Sequence, residues 1–289
     1  MQNIKLVSNL MIKCNPILKE HPCFNALAHF RWARVHLPVA PRCNIRCNFC
    51  ERKVNSSEKR PGCAEKILLP DEAIKWLEQA LKRDVPIKVI AVAGPGEPLF
   101  NDETFEVMME VKKRFPHLIR CIATNGTLLL DKMELLIRAG IDTVTVSICA
   151  VDANVGKKIY EYVSFNGRRY SGEKGAALLI KRQIQGIKEL VKNKIPVKVN
   201  TVFIPGINSD HIIDVASLCR ALGVYIMNIM PLIPAGRFKK LKAPSKEELD
   251  HIRNVCSFYI RQFRLCKQCR ADACGIPGGE DGTLGSACI

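Results

Sequence analysis

The sequence has no apolar run approaching the roughly 18 residues that a transmembrane helix needs, so we expect no membrane span. Its first residues, MQNIKLVSNLMIKCNP, contain neither a long hydrophobic segment nor a small-residue cleavage site, and no signal peptide is predicted. These absences together predict a cytoplasmic protein that works without a membrane.

Aromatic residues are scarce, at 6% of the chain. The formal net charge is +16, from 44 Lys and Arg against 28 Asp and Glu, which would suit an anionic partner. However, basic stretches such as KKR and RFKKLK carry no interleaved aromatic side chains on which bases could stack. We therefore expect a solvated basic surface and no nucleic-acid partner.

A disulfide framework is not predicted, although the chain has 14 cysteines, because no secretion signal accompanies them. Clustered thiols in a reducing compartment more often bind metals or act in catalysis. Cys149, in TVTVSICA, and Cys219, in a predicted helix, are expected to be buried apolar side chains. Cys14 and Cys288 lie near the termini and are not expected to be ligands.

Six short apolar, β-branched segments predict buried parallel strands. They are ARVHLPVA (33–40), IKVIAVAG (87–94), LIRCIATN (118–125), TVTVSICA (143–150), VKVNTVFIP (197–205) and YIMNIMPLI (225–233). Segments of helical period alternate with them, which predicts an α/β protein with a parallel sheet of βα units. Six units form an open, partial TIM-type barrel, (βα)6, although a doubly wound sheet fits the alternation equally well.

We divide the chain into three parts. An N-terminal extension (1–30) precedes the barrel (31–264), and a C-terminal extension (265–289) follows it. The last part ends in CGIPGGEDGTLGSACI, which is glycine-rich and is expected to be flexible.

The unusual motifs follow the ends of predicted strands. CNIRCNFC follows the first strand, GPGEP the second, TNG the third, NTVFIPG the fifth and MPLIP the sixth. In parallel α/β folds chemistry takes place beyond the carboxyl ends of the strands. We therefore expect one active site at this rim.

Cys43, Cys47 and Cys50 are spaced CxxxCxxC. Three thiolates satisfy three irons of a four-iron cubane and leave the fourth open, whereas a closed cluster takes four cysteines. Zinc would need four ligands, or three and a water; a zinc knuckle or three incidental thiols are the alternatives. The motif resembles the CxxxCxxC of radical S-adenosylmethionine (SAM) enzymes, with Phe49 before the last cysteine.

In that superfamily the open iron binds the amino and carboxylate groups of SAM, and reduction cleaves SAM to a 5′-deoxyadenosyl radical. AGPGEP resembles the superfamily's GGEP-type motif, with Pro95 in place of one glycine. The resemblance implies a [4Fe–4S] cluster on Cys43, Cys47 and Cys50 and a SAM site beside it. The expected SAM-binding residues are Gly94, Gly96, Glu97, Thr124, Asn125, Ser147, Asn200 and Met230.

Further cysteines and a histidine distinguish this chain from a minimal radical enzyme. They are Cys23 in HPCFN, His36 in RVHLPVAP, Cys63 in KRPGC, Cys121 in RCIATNG, and Cys266, Cys269 and Cys274 in CKQCRADAC. A CxxC pair usually holds a metal, and with Cys274 it could form a structural zinc site. His36 alone could equally be a core histidine.

Together these segments resemble the NifB family of radical SAM enzymes. The matching stretches include HPCFN, ARVHLPVAPRCNIRCNFCERK, AGPGEPL, VKVNTVFIPGIN, YIMNIMPLIP and CKQCRADA, in family order from about residue 21 to 273. The chain looks like the short, archaeal-type form without an appended NifX-like domain. The family fuses two [4Fe–4S] clusters into the [8Fe–9S–C] nitrogenase cofactor precursor. One SAM donates a methyl group to a cluster sulfide, a second yields the radical that abstracts its hydrogen, and an additional sulfur completes the core.

The resemblance also implies ligands for the two precursor clusters. Cys23, His36 and Cys121 would hold the first, and His36 would also take a proton from the carbon. Cys266 and Cys269 would hold the second. Relatives carry FDC where this chain has VNSS, so we expect Cys63 to complete that site, with Cys274, or two thiolates alone, as the alternatives.

Expected partners are an iron–sulfur cluster delivery protein, an electron donor and a cofactor carrier or scaffold protein; the oligomeric state is left open. Two other functions compete. One is a radical SAM enzyme whose auxiliary clusters act on an organic or peptide substrate. The other is a zinc-containing nucleic-acid-binding protein, which would leave GPGEP and TNG unexplained.

Overall fold

The computed structural model describes residues 15–279; Cys14 and Cys288 lie outside them. The strands of this part are β1 Ala33–His36, β2 Ile45–Cys47, β3 Lys53–Val54, β4 Cys63–Ala64, β5 Ile87–Val92, β6 Ile119–Thr124, β7 Thr143–Ser147, β8 Tyr160–Phe165, β9 Arg168–Ser171, β10 Val197–Phe203, β11 Ile226–Pro231 and β12 Cys274–Gly275. The helices are α1 Pro16–Glu20, α2 Ala26–His29, α3 Pro70–Leu81, α4 Glu103–Arg114, α5 Met133–Arg138, α6 Ala153–Ile159, α7 Gly172–Lys192, α8 Ile212–Leu222 and α9 Lys246–Ser257. Two 3₁₀ turns span Pro98–Phe100 and Gly236–Phe238.

A seven-stranded sheet in the order β11-β10-β7-β6-β5-β1-β12 curves into a half-barrel. The six predicted strands are confirmed, and all of them run parallel. Each lies beside its predecessor in the barrel series, so the strand order never reverses as it would in a doubly wound sheet. The partial barrel is therefore the correct choice between the two predicted architectures.

The two faces of this sheet differ in chemistry. Every second side chain of a strand points toward the helices, and these side chains are apolar and fully buried, as at Val35, Ile90 and Ile122. The opposite, concave face carries polar and sulfur side chains. Along it the register aligns His36 with Ala91 and Ala91 with Cys121. The hydrophobic core thus lies outside the half-barrel, and the interior is left for chemistry.

A smaller sheet, in the order β2-β8-β9, was not predicted. The β8–β9 hairpin turns at Asn166 and Gly167, both with positive φ (49° and 73°), as a type I′ turn requires. The Asn-Gly pair between YEYVSF and RRYS was the signal that could have revealed it. Its consequence is functional, because β8 pairs with β2 inside the cysteine loop.

The terminal segments close the half-barrel. Leu18 and Phe24 pack with Ile226 and Phe263, so the N-terminal segment covers one end of the concave face. The C-terminal segment joins both edges of the barrel. The amide of Phe263 donates to the oxygen of Met227 on β11 (2.7 Å), and β12 pairs antiparallel with β1.

The chain from 263 to 275 therefore crosses the lateral opening between the first and last barrel strands. The start of the expected flexible tail is part of the sheet, because Cys274 and Gly275 form its edge strand. Residues 280–289 lie outside the described part. Among residues 15–279, no helix has both the length and the hydropathy to span a bilayer.

Candidate active site at the carboxyl ends of the strands

The cysteine loop is fixed on both sides of its thiols. Ile45 pairs with Val163, and the oxygen of Asn44 accepts a hydrogen bond from the amide of Ser164 (2.7 Å). The amide of Cys50 donates to the oxygen of Cys47 (3.0 Å), which folds the end of the loop into a turn. The three cysteines are thus presented on a braced loop rather than on a free one.

The electrostatics of the three thiols fit a shared iron–sulfur cluster. Burial, and then the nearby Glu97 carboxylate, raise the pKa of Cys43 to about 11. Burial, then Cys50 and Cys43, raise the pKa of Cys47 well above its usual value. The three thiols lie close enough to repel one another as thiolates in a water-poor pocket. This arrangement suits a [4Fe–4S] cluster, because the positive charge of the irons compensates the thiolates.

No three His, Cys, Asp or Glu side chains within residues 15–279 are placed to ligate one metal ion. A cubane takes each thiolate on a different iron, so its ligands do not meet at one point.

GPGEP pairs its backbone with the segment that enters the cysteine loop. The amide of Gly96 donates to the oxygen of Ala40 (2.6 Å), and the amide of Glu97 donates to the oxygen of Arg42 (2.8 Å). A Cβ atom on Gly96 would lie 2.2 Å from that Arg42 oxygen. Only glycine permits this approach. One role of the motif is therefore to position the loop.

Glu97 joins the second and third strand ends. Its buried carboxylate accepts hydrogen bonds from the hydroxyl of Thr124 (2.5 Å) and the amides of Asn125 (2.6 Å) and Leu99 (3.1 Å). The Asn125 side-chain amide in turn donates to the Asn44 side-chain oxygen (2.8 Å), inside the cysteine loop. Burial raises the pKa of Glu97 to about 7. Both carboxylate oxygens of this predicted SAM-binding residue face the protein.

Gln183 was not predicted as a site residue, yet it is fully buried beneath the rim. From α7 its amide nitrogen donates to the main-chain oxygens of Asn125 (2.8 Å) and Ser147 (2.9 Å). It thereby ties TNG to the end of β7. In the sequence it is one polar residue on an amphipathic helix, which gives no signal of this role.

The remaining predicted SAM-binding residues lie on the concave face. Ser147 is exposed there and aligns with Asn200 in the register of β7 and β10. The side-chain oxygen of Asn200 accepts from the amide of Asn228 (2.9 Å). Met230 lies deeper in the ligand region, since its sulfur is 3.8 Å from that of Cys266.

His36 is held in one tautomer. Its Nδ1 lies 2.9 Å from the main-chain oxygen of Arg270, which can only accept, so Nδ1 carries the proton. Nε2 then bears a lone pair, the form in which histidine binds metals. Burial, and then the charge of Arg34, lower the pKa of His36 to about 3, so the imidazole is neutral.

Cys23 and Cys121 lie with His36 on the concave side of the sheet. Burial raises the pKa of Cys121 to about 12, and the neighbouring Cys23 opposes its ionisation. Burial likewise raises the pKa of Cys23, with further contributions from Cys269 and Cys266. The cysteines of HPCFN, of β6 and of the C-terminal CxxC pair therefore face one region, although up to 246 positions separate them in the sequence.

The C-terminal motif is also structural. The Arg270 guanidinium binds Asp272 through two hydrogen bonds and donates to the main-chain oxygens of Asn55 (2.8 Å) and Glu58 (2.6 Å). Asp272 accepts from the amide of Glu65 (2.6 Å). Through these contacts CRADA fixes the loop that carries Cys63.

The second-cluster candidates are arranged around this motif. The guanidinium of Arg34 donates to the sulfur of Cys269 (3.0 Å). The oxygen of Cys63 accepts from the amide of Ala271 (2.8 Å), so its segment is bound to the CxxC segment. The Cys63 side chain is fully buried. Cys274, the alternative ligand, is disulfide-bonded in this structure and offers no thiolate.

Comparison with known proteins finds a superfamily model and named relatives that match this chain. The Radical SAM superfamily model matches residues 37–219. A FeMo cofactor biosynthesis protein NifB from Methanocaldococcus infernus is 45% identical over 268 residues, covering 92% of this chain and 88% of that protein. The NifB protein of Klebsiella pneumoniae is 39% identical over 268 residues, covering 90% of this chain and 57% of that protein.

Solved structures support the fold. Streptococcus suis SuiB superposes with a TM-score of 0.59 at 13% identity, covering 83% of this chain and 51% of that protein. A radical SAM methyltransferase from Sphaerobacter thermophilus gives 0.56 at 19% identity, covering 80% of this chain and 64% of that protein. At these identities the likeness shows the shared architecture alone.

Proposed function

Since the chain belongs to the NifB family within the radical SAM superfamily, we propose that this FeMo cofactor biosynthesis enzyme fuses two [4Fe–4S] clusters. The product is the [8Fe–9S–C] precursor of the nitrogenase cofactor, made by inserting carbide and sulfur. One observation carries the proposal: beside the three-cysteine loop, His36 and four further cysteines face the same concave interior. A radical SAM enzyme that acts on an organic molecule without auxiliary clusters would not need this surplus of soft ligands.

The residues at the rim hold the cofactors. Cys43, Cys47 and Cys50 hold the resident [4Fe–4S] cluster, and SAM lies along GPGEP, TNG and the ends of β7, β10 and β11. When bound together, SAM and this cluster supply a methyl group and a carbon-centred radical. The Glu97 and Asn125 contacts keep the loops in register with one another. The crossing segment 263–275 covers the opening between β11 and β1, which limits access of water to a reactive carbon.

Cys23, His36 and Cys121 hold the first substrate cluster. A mixed set of two thiolates and one neutral imidazole suits a cluster that must later leave, because an imidazole is displaced more easily than a thiolate. The lone pair on Nε2 of His36 that binds iron becomes free on release. It can then accept a proton from the carbon.

Cys266 and Cys269 hold the second substrate cluster, with Cys63 as their partner. Arg34 supports this assignment, because its guanidinium donates a hydrogen bond to the Cys269 sulfur (3.0 Å) and places a positive charge beside the proposed anionic cluster. A cluster delivery protein, an electron donor and a carrier for the product complete the pathway.

Anaerobic reconstitution tests the proposal. Iron per chain and the EPR spectrum of the reduced protein are measured with and without SAM. Three clusters correspond to about 12 irons per chain. A value near 12, with one signal shifted by SAM and others unchanged, is the expected result. A value near four would remove the substrate clusters and favour a radical SAM enzyme with an organic or peptide substrate.

A further inference from the structure

Lys198 is a buried cation on the concave face. It lies on β10 with 4% of its surface exposed, and its ammonium donates to the main-chain oxygen of Cys23 (3.2 Å). The rings of Phe24 and Phe263 lie 5.5 Å and 5.4 Å from the ammonium. Within the described residues no carboxylate forms an ion pair with it. A buried charge is costly unless an opposite charge compensates it, so the site lacks an anion.

The charge of Lys198 acts on all three residues assigned to the first substrate cluster. The ammonium is therefore close enough to all three side chains to act on a cluster bound between them. The other charges facing His36 are Arg34, a second cation, and Asp272, whose carboxylate binds Arg270.

His21 independently indicates a missing acceptor. Its Nδ1 accepts from the amide of Cys23 (3.1 Å), so Nε2 carries the proton. That Nε2 is buried and has no hydrogen-bond partner in the part of the chain that the structure describes. The ring lies near Lys198 and His36. A cation and a histidine with an unsatisfied N–H donor thus both contact the main chain of Cys23.

We propose that Lys198 is the fixed counter-charge of the substrate cluster held by Cys23, His36 and Cys121, and that it favours the reduced state of this cluster. The inference rests on the proposed function, because it needs a cluster at these ligands. Thiolate ligands are anionic, and each added electron makes the cluster more negative by one. A positive charge fixed in a water-poor interior stabilises that change strongly. The same ammonium positions the Cys23 ligand through its carbonyl oxygen.

The test uses the reconstituted full chain with Lys198→Gln, which retains an N–H donor for the Cys23 oxygen but has no charge, and Lys198→Arg, which retains the charge. The exposed Lys75→Gln is the matched control. The signal of the first substrate cluster is identified by its loss in Cys121→Ser. EPR-monitored redox titration then measures the midpoint potential of this signal. The SAM-responsive signal of the resident cluster reports that the fold is intact.

We expect Lys198→Gln to lower the reduced-to-oxidised ratio of the first cluster at least tenfold at the wild-type midpoint, a shift of about 59 mV to more negative potential. Lys198→Arg, Lys75→Gln and the resident cluster should titrate as in wild type. If Lys198→Gln fails to load the Cys121-dependent cluster but loads the other clusters, that result would also support a counter-charge.

Three results would overturn the inference. One is a wild-type midpoint in Lys198→Gln, and another is an equal shift in Lys198→Arg. The third is loss of every cluster and of cooperative unfolding in both Lys198→Gln and Lys198→Met, which would assign the ammonium to folding. If wild type itself lacks the Cys121-dependent signal, the proposed function fails and this inference fails with it, whereas a normal wild-type signal confines the failure to Lys198.

Discussion

The Nδ1 atom of His36 donates a hydrogen bond to the main-chain oxygen of Arg270, 234 positions later in the chain, at 2.9 Å. A main-chain oxygen cannot donate, so this contact alone determines which ring nitrogen remains available to a metal. The same Arg270 uses its guanidinium to hold the loop between β3 and β4. The C-terminal motif therefore orients His36, the proposed ligand of the first substrate cluster, and also carries Cys269, which is proposed to bind the second.

Replacing His36 with Ala should separate SAM cleavage from product formation. The variant keeps Cys43, Cys47 and Cys50, so we expect the rate of SAM cleavage to stay within about twofold of wild type. The fused cluster should be lost, because the imidazole is proposed both as a ligand and as the proton acceptor. Deoxyadenosine is quantified by chromatography, and the product by transfer to an apo-nitrogenase. Undiminished product in the variant would show that His36 has neither role.

Glu97 should make the stability of the cluster-free protein depend on pH. Burial raises the pKa of this carboxyl to about 7, so the folded state holds its proton more tightly than the unfolded chain, in which Glu titrates near 4.3. The unfolded state binds fewer protons between about pH 4.3 and 7, so this residue's contribution to the free energy of unfolding falls as pH rises through that window. The largest total decrease is about 4 kcal/mol.

Glu97→Gln isolates this effect. The three buried histidines His21, His29 and His36 have lowered pKa values, and their contribution changes in the opposite sense, rising with pH up to about 6.5. We therefore compare wild type with Glu97→Gln by urea unfolding at several pH values. The unfolding free energy of wild type minus that of the variant should decrease between about pH 4.3 and 7 and then level off. A constant difference would mean that Glu97 is ionised throughout this range.

Gln183→Leu should destabilise the protein and loosen the SAM site together. The substitution leaves the main-chain oxygens of Asn125 and Ser147 without their donor, and a buried unsatisfied acceptor costs about 1–3 kcal/mol. Because both oxygens belong to strand ends at the rim, we expect the KM for SAM to rise as well. Thermal unfolding and the kinetics of SAM cleavage measure the two effects.

The exposed Gln185→Leu on the same helix is the matched control and should change neither quantity. A Gln183→Leu protein with lowered stability but an unchanged KM would restrict this residue to folding.

The strands and the strand-end motifs could be predicted because each depends on a local pattern: an apolar run, a cysteine spacing, a glycine pair. Glu97 was assigned to SAM on its motif, whereas its partners Thr124 and Asn125 lie on the next strand and only the folded chain brings them to it. Strand β12 is two residues long and contains glycine, so it has no periodicity to detect. The crossing segment is visible only once both edges of the sheet exist.

Cys63→Ser tests the proposed third thiolate of the second substrate cluster. Cys63 lies on β4 beside the CxxC segment, and Gly62 places the adjoining turn near the resident cluster, since a Cβ there would lie 3.6 Å from the Cys50 sulfur. We expect the variant to lose about four irons per chain and the fused product while keeping SAM cleavage.

Cys219→Ala, which removes a thiol buried on α8 away from the concave face, should retain full iron. Iron analysis and product transfer decide the matter: full iron and full product in Cys63→Ser would leave Cys266 and Cys269 as the only thiolates of that site, because Cys274 is held in its disulfide.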